Sequence, residues 1–286
     1  MKSTSQCNGG GTMTASQNDF VLPAKTNSIQ EGQGAPVVMI HGLAASLHDW
    51  DDLIPELVQH HYSAYALDLL GHGESAHPRS RAYQMDWMFD HMAAWIDSLN
   101  LNQPPVIIGH SLGGYLAIEY ARRFPARTCG LILIDPFFRV TQLFPLLRLS
   151  YRQPAFEMAV IQWTPQWLLR IVIDLTSLSM GHSNGGAHNL PENIRTQAAL
   201  DYKRTAPGVY NLPGHAADLT PYLPEIEQPT LVVWGTRDNT LKPASFEELI
   251  ATLPHAEGKC VRTGHVPHQS NSAEFNAMAL EFLQRL

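Results

Sequence analysis

Cysteine is scarce in this chain. Its 286 residues hold three, Cys7, Cys129 and Cys260, an odd number and far apart. That excludes a disulfide framework, and the scatter lacks zinc-ligand spacing. A reducing, cytoplasmic compartment is the expectation. Positive charge is also short: 19 Lys and Arg stand against 26 Asp and Glu, a formal charge of −7. There is no basic arm and no arginine-rich run. A nucleic-acid partner needs a cationic face for phosphate, so none is expected. Long uncharged runs are missing too. The nearest approach to a membrane span, 155–175, contains Glu157, Arg170 and Asp174, so no transmembrane segment is expected. Residues 1–18, MKSTSQCNGGGTMTASQN, have no apolar stretch after Lys2. They read as a loose polar tail and not as a secretion signal.

Apolar residues make up 44% of the chain, enough for a substantial core. They cluster in short runs that end in glycine or polar residues: PVVMIHG (36–42), SAYALDLLGHG (63–73), PPVIIGHS (104–111), CGLILIDP (129–136) and PTLVVWGTRD (229–238). Near-continuous apolar strands are covered on both faces, as in a parallel sheet. Helical patterns lie between them, as in HDWDDLIPELVQHH and MDWMFDHMAAWIDSLN. The expected fold is α/β, a doubly wound and mostly parallel sheet. A last helix, AEFNAMALEFLQRL, is expected to start at a capping box of Asn271 and Glu274. Residues 136–213 interrupt the alternation. They contain no clear strand and carry Phe137, Phe138, Phe144, Phe156, Trp163 and Trp167. The expected division is a tail over 1–18, a core over 19–135 and 214–286, and an inserted helical cap over 136–213.

Gly109-His110-Ser111-Leu112-Gly113 is a G-x-S-x-G between a buried strand and the helical YLAIEYA. A corner of that kind strains its middle residue and exposes the serine Oγ at the carboxyl edge of the sheet. A serine hydroxyl needs a base. Of 14 histidines, His41, His72 and His265 fall at strand carboxyl ends. His41 in IHGLAAS reads better as a hydrogen-bonded strand-end residue than as a proton carrier. An acid must orient the imidazole. Asp238 and Asp135 both close strands and are equally well placed, whereas Asp68 precedes the serine and reads as a loop holder. Oxyanion donors are expected from the backbone N–H of Leu112, which opens the helix, and of Leu43, after Gly42. No cofactor and no metal are expected. His182 and His188 flank a glycine-rich turn but have no carboxylate close by in sequence.

These segments resemble the α/β-hydrolase superfamily. PVVMIHGLAAS is similar to its oxyanion loop, DLLGHGES to its next strand-loop signature and GHSLGG to its nucleophile elbow. PTLVVWGTRDNTL resembles the acid-bearing segment, and GHVPHQSNSAEFN the histidine loop. The resemblance runs from about Gln30 to Leu286. It implies Ser111 as nucleophile, His265 as base and Asp238 as acid, in the order Ser…Asp…His, with Leu43 and Leu112 as the oxyanion hole. It favours His265 over His268, because His265 directly follows Gly264. Two departures stand in the histidine loop, where Ser270 and Ser272 replace a frequent glutamate and proline.

A serine at the elbow, where related dehalogenases and epoxide hydrolases carry aspartate, implies acyl transfer to water. The expectation is a serine hydrolase for carboxylic esters with a hydrophobic acyl or alcohol part, working through an acyl-enzyme. The substrate expected is small and apolar. Alternatives are C–C hydrolysis of a vinylogous diketone acid with a cap arginine on the carboxylate, thioester or lactone hydrolysis, and a non-catalytic ligand receptor. Between Phe137 and Met180, Arg139, Arg148, Arg152 and Arg170 outnumber Glu157 and Asp174. That excess reads as a solvated face, with weak contact to a membrane surface as the other reading.

Overall fold

The apolar runs become the strands of one seven-stranded sheet. The computed structural model describes residues 24–80, 82–151, 163–179 and 190–286. The strands are β1 (Ser28–Gly32), β2 (Ala35–Ile40), β3 (Tyr62–Leu67), β4 (Val106–His110), β5 (Gly130–Ile134), β6 (Thr230–Gly235) and β7 (Ala256–Val261). Their order is β1-β3-β2-β4-β5-β6-β7. All neighbours pair in parallel except β1, which runs antiparallel to β3. Every residue of β4 and β5 is buried, which explains their unbroken apolar sequence. Strand β1, SIQEG, is exposed except for Ile29. As an edge strand it has little to bury, so it leaves no apolar signature.

Helices cover both faces. They are α1 (Ile54–Gln59), α2 (Met85–Ser98), α3 (Leu112–Arg123), α4 (Pro145–Ser150), α5 (Gln166–Ser179), α6 (Glu192–Arg204), α7 (Leu212–His215), α8 (Ala244–Thr252), α9 (Pro267–Ser270) and α10 (Ser272–Leu283). One core joins Met88 and Met92 of α2, Leu116 of α3 and Phe246 of α8 to Val38, Ile107 and Leu133 of the sheet. The other joins Leu57 of α1 and Phe275 and Phe282 of α10 to Val37, Ile108 and Ile132. Alternate residues of each strand therefore serve opposite cores. No helix among the described residues is long and apolar enough to cross a membrane.

The connection from β5 to β6 carries α4 to α7. Among its described residues there is no strand, only a single bridge from Leu143 to Leu241. Asp174 on α5 accepts hydrogen bonds from Arg170, one turn away, and from Arg195 on α6. Arg139 pairs with Glu248 on α8. Two of the arginines that looked like a cationic surface are thus taken up by carboxylates. Trp163 and Trp167 are 86% and 65% exposed, so the aromatic density of this segment is only partly core. Residues 1–18, Arg152, Phe156, Glu157, His182 and His188 lie outside the described residues.

The expected capping box does not form. Asn271 precedes α10, but its side chain makes no bond to the helix N–H groups. Its Nδ2 donates to the Glu274 carboxylate instead. The backbone at Asn271 (φ −145°, ψ 60°) is not the extended form that aims a cap side chain at the first turn.

Asp68, at the end of β3, holds a loop as its position suggested. Oδ1 accepts from Leu47 N–H at 2.8 Å. Oδ2 accepts from Glu74 N–H at 2.9 Å and from Asn27 Nδ2 at 2.8 Å. Removing a buried acceptor strands its donors. Asp68→Ala is expected to lower stability by about 3 kcal/mol, read as a shifted urea midpoint with unchanged slope. A loss under about 0.5 kcal/mol would show that the loops do not depend on it.

Candidate active site

Chain direction reverses sharply between β4 and α3, and Ser111 sits at the corner with φ 50° and ψ −111°. A positive φ at a non-glycine residue is strained. Three backbone bonds hold it. Ser111 N–H donates to Ile134 C=O at 2.9 Å, and Ser111 C=O accepts from Phe137 at 3.0 Å and Tyr115 at 3.2 Å. Small neighbours permit the turn. A Cβ on Gly113 would collide with the Ile40 carbonyl. A Cβ on Gly42 would come within 2.9 Å of His110 Nδ1 and 3.3 Å of Ser111 Cβ. The loop after β2 therefore lies directly against the elbow, and Leu43 and Leu112 both face the same cavity.

Three of the expected residues meet there. His265 Nε2 lies 3.0 Å from Ser111 Oγ, and His265 Nδ1 lies 2.8 Å from Asp238 Oδ2. An ionised Asp238 can only accept, so Nδ1 carries the proton and Nε2 faces the hydroxyl as acceptor. Asp238 Oδ1 accepts from Thr240 N–H at 2.7 Å and Leu241 N–H at 3.0 Å. Burial opposes ionisation of Asp238, but His265 and these N–H groups outweigh it and hold the carboxyl below its ordinary value. Asp135, the other acid at a strand end, is fully buried and does not bond to His265. Burial and the neighbouring Asp238 push it well above the ordinary carboxylate range.

Other histidines take structural places. His41 Nδ1 donates to Gly42 C=O at 2.8 Å, and its Nε2 accepts from Leu69 N–H at 2.9 Å. His72 is buried, donates to Leu70 C=O at 3.0 Å, and is driven well below its ordinary value by burial and by His41. His268 packs 5.2 Å from Trp50 and 4.5 Å from His110, centroid to centroid, behind the serine.

Several polar residues of the site carry no sequence signal. Asp49 reads as an ordinary helix-start acid in LHDWDD. In the fold its Oδ2 lies 3.5 Å from His110 Nδ1 and 3.8 Å from His268 Nε2, while its Oδ1 accepts from Gln269 at 2.9 Å. Burial alone would raise Asp49, yet His110 and His268 hold it well below its usual range. His110 is lowered to about 4, chiefly by burial and then by His268. Its Nε2 donates to the His265 carbonyl at 2.9 Å. These three side chains, like Asp135, Asp238 and His265, bring ligand-type atoms within 4.8 Å of one another. In the second set Asp238 and His265 are engaged in the Ser–His–Asp chain. Asp201 on α6 is a further addition. It accepts from Ser46 Oγ at 3.0 Å and from Gln197 at 2.9 Å. Burial, then the charge of Asp49, pushes it up to about 7.

The cavity over Ser111 and His265 holds about 400 Å³. Its apolar wall includes Leu43, Leu112, Phe137, Leu143, Leu241 and Val266 from the core, and Ile173, Ile194 and Ala198 from α5 and α6. Its polar wall includes Asp49, Asp51, Asp52, Asp201 and Gln197, and no Lys or Arg is among the described lining residues. A second cavity, of about 560 Å³, lies between α2 and α3 and contains none of the expected site residues. Its Glu119 is neutralised by Arg122 and Arg123.

Comparison with known proteins agrees with this fold. The family model described as serine aminopeptidase, S33, matches residues 33–270. The abhydrolase domain-containing protein abhd-5.2 of Caenorhabditis elegans is 32% identical over 171 residues, 58% of this chain but only 36% of that protein. The pimeloyl-[acyl-carrier protein] methyl ester esterase of a Neisseria meningitidis serogroup C strain is 28% identical over 254 residues, covering 87% of this chain and 93% of that one. Among solved structures, a thermophilic esterase from Thermogutta terrifontis superposes with a TM-score of 0.76 at 24% identity, over 93% of this chain and 96% of that one. With its parallel sheet, its serine elbow and a family match over most of its length, this chain belongs to the serine aminopeptidase S33 family and is an α/β-hydrolase.

Proposed function

We propose that the protein is a serine hydrolase that cleaves carboxylic esters whose acyl or alcohol part is hydrophobic and uncharged. The observation that carries this reading is the unbroken chain Ser111–His265–Asp238, at 3.0 and 2.8 Å, opening on a mostly apolar cavity. Ser111 Oγ attacks the ester carbonyl as His265 Nε2 takes its proton. The N–H groups of Leu43 and Leu112 receive the developing oxyanion. The intermediate collapses to an acyl-serine, and His265 protonates the leaving alcohol. Water then enters, His265 accepts its proton, and the carboxylic acid leaves with Ser111 restored. Asp238 orients the imidazole and balances its transient charge throughout. Residues 136–213 are read as a cap, because Ile173, Ile194 and Ala198 line the same cavity as Ser111. The N. meningitidis relative named as a methyl ester esterase supports an ester substrate.

The charge of the cavity separates this reading from hydrolysis of a diketone acid. That reaction was expected to draw on a cap arginine for the substrate carboxylate. Arg139 and Arg170 are instead paired with Glu248 and Asp174, Arg148 is not among the residues lining the cavity, and Arg152 lies outside the described residues. Four aspartates line the cavity, and no Lys or Arg is among its described lining residues. An anionic substrate would enter against that field.

Ser111→Ala is expected to lower p-nitrophenyl ester turnover by roughly 10⁴-fold or more and to end labelling by a fluorophosphonate probe. Undiminished turnover would sink the mechanism. Charge selection is tested with two esters of equal length, one ending in methyl and one in a free carboxylate. The neutral ester should have a kcat/KM at least about tenfold higher. Preference for the anionic ester would reinstate the diketone-acid reading.

Asp201 generates a stability prediction. Its folded value of about 7 lies above the ordinary 3.8, so between those values the native state binds more protons than the unfolded chain. Stability from this group is therefore complete at low pH, falls as pH rises from about 4 to about 7, and is flat beyond. Asp201→Asn cannot titrate. Relative to the wild type it should gain stability between pH 5 and pH 8, on the order of 2–3 kcal/mol, measured by urea unfolding at both. A gap that does not change with pH would show Asp201 ionising normally.

A further inference from the structure

Two adjacent strands end in acids beside His265, and the mechanism above uses one of them. Asp238 follows β6, and Asp135 follows β5, its neighbour in the sheet. Asp135 is 0% exposed and Asp238 is 4% exposed. Reactive atoms of Asp135, Asp238 and His265 all lie within 4.8 Å of one another. Two carboxyls so close, and so far from water, do not both ionise.

Their hydrogen bonds decide which one keeps the proton. Asp238 accepts from three donors, His265 Nδ1, Thr240 N–H and Leu241 N–H. That is the environment of a carboxylate. Asp135 accepts from one, Gly235 N–H on Oδ1 at 3.0 Å. Its Oδ2 receives no donor from the described residues, and Asp238 is the group it faces. An oxygen in that position is satisfied by carrying a hydrogen and donating it. The backbone at Asp135 is committed to this placement. Its φ is 39°, uncommon for a residue with a side chain, and its N–H is fixed to Val233 C=O at 2.9 Å.

We propose that Asp135 is a positioning residue that donates an O–H hydrogen bond to Asp238 and becomes the acid partner of His265 when Asp238 is lost. In the intact site no proton leaves Asp135 during turnover. It holds the Asp238 carboxylate in the orientation that His265 requires. When the Asp238 side chain is removed, the like charge that adds to burial in keeping Asp135 neutral is gone, and His265 is left without its acid. The Asp135 carboxyl can then release its proton and move into the vacated space. It has to close from at most 4.8 Å to hydrogen-bond distance of the imidazole. The proposal rests on the Ser111–His265–Asp238 reading of the site.

The test compares kcat and KM for a p-nitrophenyl ester across the wild type, Asp238→Ala, Asp135→Asn, Asp135→Leu and the Asp238→Ala/Asp135→Asn double variant. Asp135→Asn keeps a donor and should cost less than about fivefold in kcat. Asp135→Leu removes the donor and should cost about tenfold or more, with KM within about twofold. In the Asp238→Ala background the order changes, because Asp135→Asn should now cost at least a further tenfold. A double variant no slower than Asp238→Ala would overturn the stand-in role. Loss of the same factor in both backgrounds would mark Asp135 as structural only. A second measurement is free of any activity. The wild type should show a carboxylic-acid C=O stretch in the infrared above the pH range in which Asp201 titrates, and Asp135→Asn should lack it. Absence of that band from the wild type would overturn the O–H donor. Ser111→Ala in the same ester assay keeps the two readings apart, since turnover surviving that change would fault the mechanism and not Asp135.

Discussion

The positive-φ turn at Ser111 is the constraint around which the sheet edge is arranged. It places Oγ beyond the carboxyl end of β4, the strand with β2 on one side and β5 on the other. The turn can exist only if the backbones around it come unusually close. Gly113 and Gly42 allow that on the side of β2, and Ile134 and Phe137 bind it on the side of β5. Strain of this kind costs roughly 1–3 kcal/mol. Three backbone hydrogen bonds and an entirely buried pair of strands offset it. The same closeness brings the Leu43 loop to the serine, so the strain that exposes Oγ also assembles the expected oxyanion donors beside it.

Around that turn, four buried or nearly buried aspartates hold different charge states because each has a different set of partners. Asp238 is stabilised as an anion by His265 and two N–H groups. Asp49, which faces His110 and His268, is also held below its ordinary value. Asp135 and Asp201 lack such partners and are pushed upward, by burial first and by the neighbouring anion second. One residue type thus supplies a charge, a proton donor and a group that titrates near neutrality. Burial is common to all four, so the local donors decide the outcome.

What could be read before folding follows the same division. The central strands were legible because strands buried on both faces must be apolar along their whole length. The elbow was legible because its glycines are required by close approach. Asp238 and His265 were legible by their places at strand ends, although Asp135 stood at an equally good one. Position alone did not separate the two acids; the resemblance favoured Asp238, and the path of the histidine loop shows that Nδ1 meets this carboxyl. Strand β1 was invisible because an exposed edge has nothing apolar to declare. Asp49 and Asp201 were invisible for a related reason. Each is a helix-surface acid in sequence, and its burial comes from segments more than 50 residues away: His110 and His268 for Asp49, Ser46 for Asp201. The capping box at Asn271 failed because the chain enters α10 directly from α9, with a backbone angle set by that turn and not by helix propensity.

The helical segment after β5 is tied to the rest by polar contacts at two separate places. Asp201 of α6 reaches Ser46 in the loop after β2, and Arg139 at the start of the segment reaches Glu248 on α8. The first contact joins α6 to the same loop that carries Leu43, within the wall of the cavity. Movement of α6 away from the core would have to break this hydrogen bond. Because the hydrogen bond from Ser46 favours the ionised form while Asp49 opposes it, the strength of that link depends on how much charge the cavity already holds.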